Sequence, residues 1–180
     1  MRIITGSARG RKLRTLSGED VRPTSDRVKE AISSIIHFQI EGRRVLDLFA
    51  GSGQLGLEAL SRGAAHAVFV DSSAKALEVV RENIETCGFA NAAEAVRSDA
   101  SVYLLRCRDT FDVAFLDPPY NSNLLNKILP LLAPHMNPGG TILCESDFLK
   151  ELPERVGDFE KNRVYRYGRI LITRYQKNNK

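Results

Sequence analysis

The segment with the clearest chemical potential is Asp117-Pro118-Pro119-Tyr120, which follows the apolar run of residues 111–116. The run has the length and composition of a buried strand that ends in a turn. Because proline keeps the residue before it extended and donates no N–H, Asp117 and the Pro118 carbonyl are held at the strand end, beside Tyr120. These two acceptors suit the N–H bonds of an exocyclic base amine, with the ring stacked on the base. The structural alternative is a Pro-Pro turn with a surface tyrosine.

A glycine-rich loop follows the first strand of the pattern, residues 45–49. Gly51 and Gly53 allow a tight turn and a close approach of backbone to a ligand. With Gly56 they form a G-x-G-x-x-G pattern, which is also typical of dinucleotide-binding proteins. Asp47 precedes the loop, and its carboxylate would repel a pyrophosphate but attract a cation. S-adenosylmethionine carries a sulfonium and an amino group and has no phosphate, so it fits this loop better than a dinucleotide.

Acidic residues also end the next three predicted strands. Asp71 is placed to accept hydrogen bonds from a ribose diol, and Asp99 from an adenine amino group. Asp117 ends the fourth strand. Each acid taken alone could be a helix cap or a turn residue. Acids at four successive strand ends indicate one coherent site, because the carboxyl ends of parallel strands meet at one edge of a sheet.

The elements that must position these residues alternate between strand and helix. Such alternation predicts a mainly parallel sheet with helices on both faces, closed by an antiparallel C-terminal hairpin about Gly168. The predicted strands are residues 45–49, 67–70, 92–97, 111–116 and 141–145, with a hairpin over 164–175. The predicted helices between them are residues 55–62, 74–86, 102–106 and 124–132.

Basic residues concentrate at the two ends of the chain. Residues 1–44 contain ten Lys/Arg and five Asp/Glu, residues 45–150 contain eight and thirteen, and residues 151–180 contain eight and four. This asymmetry favours a polyanion clamp on an acidic catalytic domain, and the alternative is two solvated ends. Short strands are expected at residues 3–5 and 12–14, in a basic ribbon that offers little to the core and more to phosphates.

Several classes of protein are disfavoured by composition. No apolar run reaches the length of a membrane span, and no apolar segment of a signal peptide follows Met1. The three cysteines are far apart and form no C-x-x-C pair, and the three histidines are scattered. We therefore expect a cytoplasmic protein without a metal site.

The motifs together resemble a known family. D-x-F-x-G-x-G followed by D-P-P-Y resembles the class I S-adenosylmethionine-dependent amino-methyltransferases. Three longer segments resemble one family more narrowly, the bacterial 16S ribosomal RNA guanine-N2 methyltransferase (RsmD) family. They are R-I-I-T-G-S-A-R-G-R-K-L, R-P-T-S-D-R-V-K-E-A and L-D-L-F-A-G-S-G-Q-L-G-L-E-A-L-S-R-G-A. The similarity runs from Arg2 to about Tyr175.

This resemblance implies a Rossmann-like class I methyltransferase fold, a mainly parallel seven-stranded sheet with an antiparallel C-terminal strand. We expect residues 1–43 to form an RNA-binding appendage of a basic β-ribbon and a helix, with Val28, Ile32, Ile35 and Ile36 on one face of that helix, and residues 44–180 to form the methyltransferase domain. The expected cofactor contacts are Asp47, Phe49, Gly51, Gly53, Asp71, Ser72, Asp99 and Ala100. The expected catalytic loop is Asp117, Pro118, Pro119 and Tyr120. The expected RNA contacts are Arg9, Arg11, Lys12, Arg14, Arg22 and Arg27.

The resemblance also implies the reaction. A methyl group would pass from S-adenosylmethionine to the N2 amine of one guanine in 16S ribosomal RNA, within an assembled or nearly assembled small subunit, and the chain would act as a monomer. D-P-P-Y alone does not choose guanine over adenine, so an adenine-N6 methyltransferase acting on DNA or RNA stays open. A nicotinamide-dependent oxidoreductase would leave Asp47 and D-P-P-Y unexplained. A third alternative is an RNA-binding assembly factor with an idle cofactor fold.

Overall fold

The computed structural model describes residues 1–16, 26–35, 39–119 and 123–177, and the side chains of α1 from Val28 onward. The helices are α1 (Asp26–Ile35), α2 (Gln54–Ser61), α3 (Ala74–Cys87), α4 (Ala100–Arg106) and α5 (Leu124–Leu132). The strands are β1 (Arg44–Asp47), β2 (His66–Asp71), β3 (Ala93–Arg97), β4 (Phe111–Leu116), β5 (Met136–Asp147), β6 (Arg155–Val156), β7 (Phe159–Tyr167) and β8 (Ile170–Lys177). None of the described helices is long and apolar enough to cross a membrane.

The strands form one sheet in the order β3-β2-β1-β4-β5-β8-β7-β6. The pairs from β3 to β5 are parallel, and the remaining three pairs are antiparallel. The predicted α/β sheet with its antiparallel C-terminal strand is therefore confirmed. The structure adds β6, whose two residues are too few to show a periodic pattern. The strand order reverses between β1 and β4, and open sheets of this kind bind ligands at such a switch point.

Helices cover both faces of the parallel half of the sheet. On one face, Val45 and Phe69 pack in a cluster with Ile32 of α1 and Leu57 of α2. On the other face, Leu46 and its strand neighbours pack against the residues of α4 and α5. Burial on both sides explains why these strands are continuous apolar runs rather than alternating ones.

The N-terminal ribbon packs on α2 instead of standing apart from the core. Its two predicted strands reduce to a single antiparallel bridge between Arg2 and Lys12. Ile3, Ala8 and Leu13 are buried in the same cluster as the central strands, so the ribbon contributes more to the core than its basic sequence indicates. The expectation that it offers the core little is wrong.

Buried polar groups of α2 fix the ribbon in place. The Glu58 carboxylate accepts hydrogen bonds from the backbone N–H groups of Ile4 (2.9 Å) and Thr5 (3.0 Å). The Ser61 hydroxyl donates to the Thr5 carbonyl (2.6 Å) and accepts from Ala8 N–H (3.0 Å). These bonds satisfy backbone groups that the short bridge leaves without a ladder.

The fifth strand is longer than the sequence indicates. β5 begins at Met136, which pairs with Phe111, whereas Thr141 pairs with Val113. Three extra residues of β5 are therefore accommodated between these pairs. Gly139, in the predicted Pro-Gly-Gly turn, has a φ of 72° and sits in this irregular segment. The turn signal is real, but it marks a bulge within a strand rather than the start of one.

Candidate active site at the carboxyl edge of the sheet

Asp47 ends β1, and its side chain is buried to 1% exposure. Its Oδ2 atom accepts a hydrogen bond from the Gly56 N–H at 3.0 Å. Its Oδ1 atom is buried and has no hydrogen-bond partner among the described residues. Burial raises the pKa of Asp47 to about 7; the charges of Asp117 and Asp71 add to the rise, and the Gly56 bond and Lys29 oppose it. The site therefore contains one carboxylate oxygen that lacks a donor.

The glycine loop differs in what surrounds each glycine. A Cβ atom at Gly51 would meet nothing within 4 Å, so this backbone faces open space. Gly51 and Gly53 have φ values of 56° and 81°, which favour glycine. A Cβ atom at Gly56 would lie 2.3 Å from the Phe69 ring. Gly56 is therefore needed for packing of α2 on the sheet, whereas Gly51 leaves room for a ligand.

Asp71, at the end of β2, holds this loop in shape. Its Oδ2 accepts from the Gly51 N–H at 2.9 Å, and its Oδ1 accepts from the Ser73 N–H at 2.8 Å. The neighbouring Ser72 is exposed, and its carbonyl accepts from Arg97 Nε at 3.4 Å. The carboxylate thus connects two loops at the sheet edge, and each of its oxygens keeps further acceptor capacity.

Asp99 is the N-cap of α4. Its Oδ1 accepts hydrogen bonds from the N–H groups of Ser101 (2.8 Å) and Val102 (3.3 Å). Ala100, the first residue of the helix, is buried, whereas Asp99 is exposed. Asp99 therefore acts as a helix cap, which was the alternative to a ligand contact. Its Oδ2 atom takes part in neither of these two hydrogen bonds.

The start of the expected catalytic loop lies beside Asp47. Asp117 is half-buried directly after β4, Pro118 is buried and Pro119 is exposed. Leu48 N–H donates to the Phe115 carbonyl at 3.1 Å, which keeps β1 and β4 aligned to their ends. Asp47 pairs with Phe115, so Asp117 lies two residues further along the adjoining strand, and its charge contributes to the raised pKa of Asp47. Tyr120 lies outside the described residues.

Comparison with known proteins decides the family. Residues 1–176 match the family described as Conserved hypothetical protein 95. This chain belongs to that family. A Bacillus subtilis protein provisionally assigned as an rRNA methyltransferase is 42% identical, over 98% of this chain and 99% of its own. The ribosomal RNA small subunit methyltransferase D of Escherichia coli K12 is 34% identical, over 98% of this chain and 90% of its own. The family resemblance read from the motifs is therefore confirmed.

Solved structures agree with the family and the fold. A provisionally assigned methyltransferase of Escherichia coli, yhhF, superposes with a TM-score of 0.89 at 34% identity, over 100% of this chain and 99% of its own. An RNA methyltransferase of Salinibacter ruber, solved with S-adenosyl-L-homocysteine, has a TM-score of 0.69 at 16% identity, over 88% and 95% of the two chains. The second likeness concerns the fold alone, and it confirms the predicted class I methyltransferase fold.

The residues present fit S-adenosylmethionine. An amino group would supply the donor that the buried Oδ1 of Asp47 lacks, and a cation would favour its ionised form. A side chain at position 51 would project into open space, and glycine leaves that space to a ligand. Phe49 lies two residues after β1, is half-buried and packs against the core cluster on the α4 side. The S-adenosyl-L-homocysteine bound in the Salinibacter ruber structural neighbour and the chemistry of this edge agree.

A buried lysine near this edge is absent from the sequence-based site. Lys29 of α1 is 8% exposed and donates from Nζ to Gln54 Oε1, at the start of α2. Its positive charge partly offsets the rise in the pKa of Asp47 that burial causes. The apolar residues of α1, such as Ile32, give by themselves no indication of this lysine. Lys29 lies three residues before Ile32, on the buried side of that helix, and this spacing was the available signal.

Asn83 of α3 was also missed. Its Nδ2 donates to the Ser52 carbonyl (2.9 Å) and to the Arg14 carbonyl (3.0 Å), and its Oδ1 accepts from Arg14 N–H (2.7 Å). One buried amide thus joins the glycine loop to the basic ribbon. A polar residue on a predicted buried helix face was the only indication in the sequence.

Four of the six basic residues predicted to contact RNA lie on the ribbon. Arg9, Arg11 and Lys12 are exposed, and within the described part of the chain no carboxylate forms an ion pair with them. Arg14 pairs with Glu82 of α3. Arg22 lies outside the described residues, as does the side chain of Arg27, whose backbone belongs to α1.

Proposed function

We propose that this chain is an S-adenosylmethionine-dependent ribosomal RNA methyltransferase that modifies the exocyclic N2 amine of one guanine in 16S RNA. One observation carries the proposal. The buried Asp47 oxygen that lacks a donor lies beside the open glycine loop, and Asp117-Pro118 end the adjoining strand. A cofactor site and a base-amine site thus meet at the switch point of the sheet.

Asp47 would hold the amino group of the cofactor, while Gly51 and Gly53 let the backbone approach it. Asp71 shapes the loop and keeps acceptor capacity for a ribose, and Asp99 keeps its Oδ2 for the adenine amine. Bound S-adenosylmethionine supplies an electrophilic methyl group on a sulfonium. The chain supplies binding and orientation, so its contribution is chiefly that of positioning.

Asp117 and the Pro118 carbonyl would accept the two N–H bonds of the target amine. An exocyclic amine is a poor nucleophile because its lone pair is delocalised into the ring. Two acceptors bias the nitrogen toward tetrahedral geometry and direct the lone pair toward the methyl group. The amine proton leaves after the new N–C bond forms, so no strong base is needed. Tyr120 is proposed to stack on the base, which would contribute roughly 1–3 kcal/mol.

The choice of guanine in 16S RNA rests on the family rather than on D-P-P-Y. Two relatives among those found, from Escherichia coli and Haemophilus influenzae, are named as small subunit rRNA methyltransferases. Arg9, Arg11 and Lys12 are available for phosphates, with Arg14 beside them. Duplex DNA is read at its base edges, whereas RNA loops are recognised by shape and backbone, which these exposed cations suit.

The test uses small subunits from a strain that lacks this chain. The purified protein and S-adenosylmethionine should produce N2-methylguanosine at one position of 16S RNA, faster on subunits or late precursors than on naked RNA. Asp117→Asn, which keeps the size of the side chain, is the matched control. N6-methyladenosine as the product, or equal activity on duplex DNA, would move the chain to the adenine class. Subunit binding without methyl transfer would favour the assembly-factor alternative.

A further inference from the structure

The β7–β8 hairpin carries its turn to the same edge of the sheet as the active site. β8 runs antiparallel to β5, with Ile170 opposite Asp147, and β5 pairs with β4, with Cys144 opposite Leu116. Strands rise about 3.3 Å per residue and lie about 4.8 Å apart. The hairpin turn is therefore roughly 10–15 Å from Asp117, on the side away from the glycine loop.

This hairpin is strongly basic. Residues 161–177 contain six Lys/Arg and no Asp/Glu. Two of the six, Lys161 and Lys177, pair with carboxylates near the base of the hairpin, and Arg174 bonds to glutamine side chains. The other three are exposed: Arg166 and Arg169 lie next to the turn, and Arg163 lies opposite Arg174 on the other face of β7.

Aromatic rings order these three guanidinium groups. The guanidinium carbons of Arg166 and Arg169 lie 5.1 Å and 5.4 Å from the centre of the Phe148 ring. Arg163 lies 5.1 Å from the ring of Tyr165. Stacking holds the planar groups in place without using their N–H donors.

Their remaining contacts leave most donors available. Arg166 Nε donates to the Gly168 carbonyl at 3.0 Å, and Arg169 Nη2 lies 3.8 Å from Asp147 Oδ2, with the arginine side chain 74% exposed. Asp147 is the acidic side chain recorded in contact with this cluster, and its Oδ1 accepts from Leu149 N–H. The surface thus combines positive charge, planar donors and an aromatic ring.

We infer that Phe148, Arg166 and Arg169 form a second RNA-binding surface, which holds nucleotides flanking the target base. This inference rests on the proposed function. Guanidinium groups match phosphate oxygens with two parallel bonds and also stack on unpaired bases. The surface lies beside Asp117 and continues the catalytic edge, so an RNA strand whose base enters the site would pass over it.

The experiment compares two variants that each lose two positive charges. Arg166→Gln/Arg169→Gln changes the surface, and Arg106→Gln/Arg108→Gln changes exposed arginines at the opposite edge, where β4 begins. Methyl transfer to undermodified small subunits is measured against substrate concentration. Binding of a single-stranded 16S fragment is measured across salt concentrations, and cofactor affinity serves as the check on folding.

The hairpin variant should raise KM for the subunit roughly tenfold and leave kcat and cofactor affinity within about twofold. The salt slope of RNA binding should fall by about 1.4, since each phosphate contact contributes about 0.7 for single strands. Arg166→Lys/Arg169→Lys should keep the slope but bind RNA more weakly, because lysine lacks the planar stacking group.

The two hypotheses fail differently. If wild type methylates subunits and the hairpin variant behaves like the opposite-edge control, the second surface is excluded and the proposed function stands. If wild type transfers no methyl group to any small subunit, the proposed function fails. In that case the RNA-binding measurements test the second surface by themselves. Equal salt slopes for the hairpin variant and the opposite-edge control would exclude the surface, and a smaller slope for the hairpin variant would support it.

Discussion

The four strand-end acids form an inner and an outer pair, and the buried inner acid, Asp47, differs from the outer pair in what it already binds. The inner pair, Asp47 and Asp117, ends the central strands β1 and β4, and the Asp47 carboxylate keeps a buried oxygen without a donor. The outer pair is Asp71, the last residue of β2, and Asp99, two residues beyond β3. Asp71 accepts backbone N–H groups of the neighbouring loops, and Asp99 accepts those of the first turn of α4. Aspartate at the carboxyl ends of the four strands therefore serves two purposes, which are ligand binding and the fixing of local structure.

This difference follows from burial. The Asp47 carboxylate is almost fully buried, so leaving its oxygen unpaired costs free energy that a ligand can recover. At the outer strands water competes for the carboxylates, and their best use is to cap helices and fix loops. Inner acids should therefore govern ligand binding and chemistry, and outer acids local stability.

Asp117→Ala should have the largest effect. We expect the rate of methyl transfer to fall by roughly 10²-fold or more, because the target amine loses an acceptor that orients it. Cofactor affinity should stay within about threefold, since the adjoining strand end holds the cofactor. Single-turnover kinetics and calorimetry measure the two quantities. Normal transfer by Asp117→Ala would contradict the proposed role of the inner pair.

Asp47 should make cofactor affinity depend on pH. Its pKa of about 7 means that the cation-binding ionised form is the minor one at pH 6. Affinity should rise roughly 20-fold between pH 5.5 and 7.5, below the ordinary pKa of the cofactor amino group. Asp47→Asn should bind more weakly at pH 7.5 and show a flat profile over this range. Calorimetric titrations at several pH values supply the measurement; a pH-independent wild type would be inconsistent with this assignment.

The same carboxyl should affect the stability of the cofactor-free protein. Its pKa rises from 3.8 in the unfolded chain to about 7 in the fold, so between these values only the unfolded state is ionised. The free energy of unfolding should therefore fall as pH rises, by about 2–3 kcal/mol between pH 5 and 7.5 relative to Asp47→Asn. Denaturant unfolding of both proteins at the two pH values gives the difference. A constant difference would show that the carboxyl is not desolvated.

Asp71→Asn should have an intermediate effect. The amide offers one acceptor oxygen where the carboxylate offers two, so either Gly51 N–H or Ser73 N–H loses its partner. We expect about 1–3 kcal/mol of lost stability and roughly tenfold weaker cofactor binding through the loop. Thermal unfolding and cofactor titration measure these effects. Unchanged stability would argue that water replaces the missing acceptor.

Asp99 should matter least. Asp99→Ala removes the cap of α4 and should cost about 0.5–2 kcal/mol of stability. Asp99→Ser keeps a capping oxygen but shortens the side chain, so it separates the cap from any contact with adenine. We expect the serine variant to be as stable as wild type and to bind cofactor a few-fold more weakly, as measured by titration. If both variants bind the cofactor as tightly as wild type does, Asp99 acts only as the helix cap.

Most of the fold could be predicted because its signals are local. The apolar runs and helix stripes place β4 and α5 at the bounds that the structure has, and Gly168 marks the hairpin turn. The two-residue β6 and the early start of β5 could not be predicted, because pairing with neighbouring strands creates them. Strand pairing is a tertiary effect that periodicity does not record.

The candidate site was predictable in its acids and glycines but not in its supports. Asp47 and Gly51 stand in motifs with fixed spacing, which made them visible. Lys29, Glu58 and Asn83 act through partners far along the chain, such as Glu58 with Ile4 and Thr5. A single sequence gives no sign of which polar residue on a helix will be buried against a distant backbone.

The hydrogen bonds of Asn83 have a thermodynamic consequence. The amide bonds to Arg14, 69 residues before it, and to Ser52, 31 residues before it. Displacement of the ribbon would therefore release a constraint on the glycine loop, and displacement of the loop would do the same to the ribbon. Linkage requires such coupling to be reciprocal. By whatever factor RNA on the ribbon changes the affinity for cofactor, cofactor in the loop must change the affinity for RNA by the same factor.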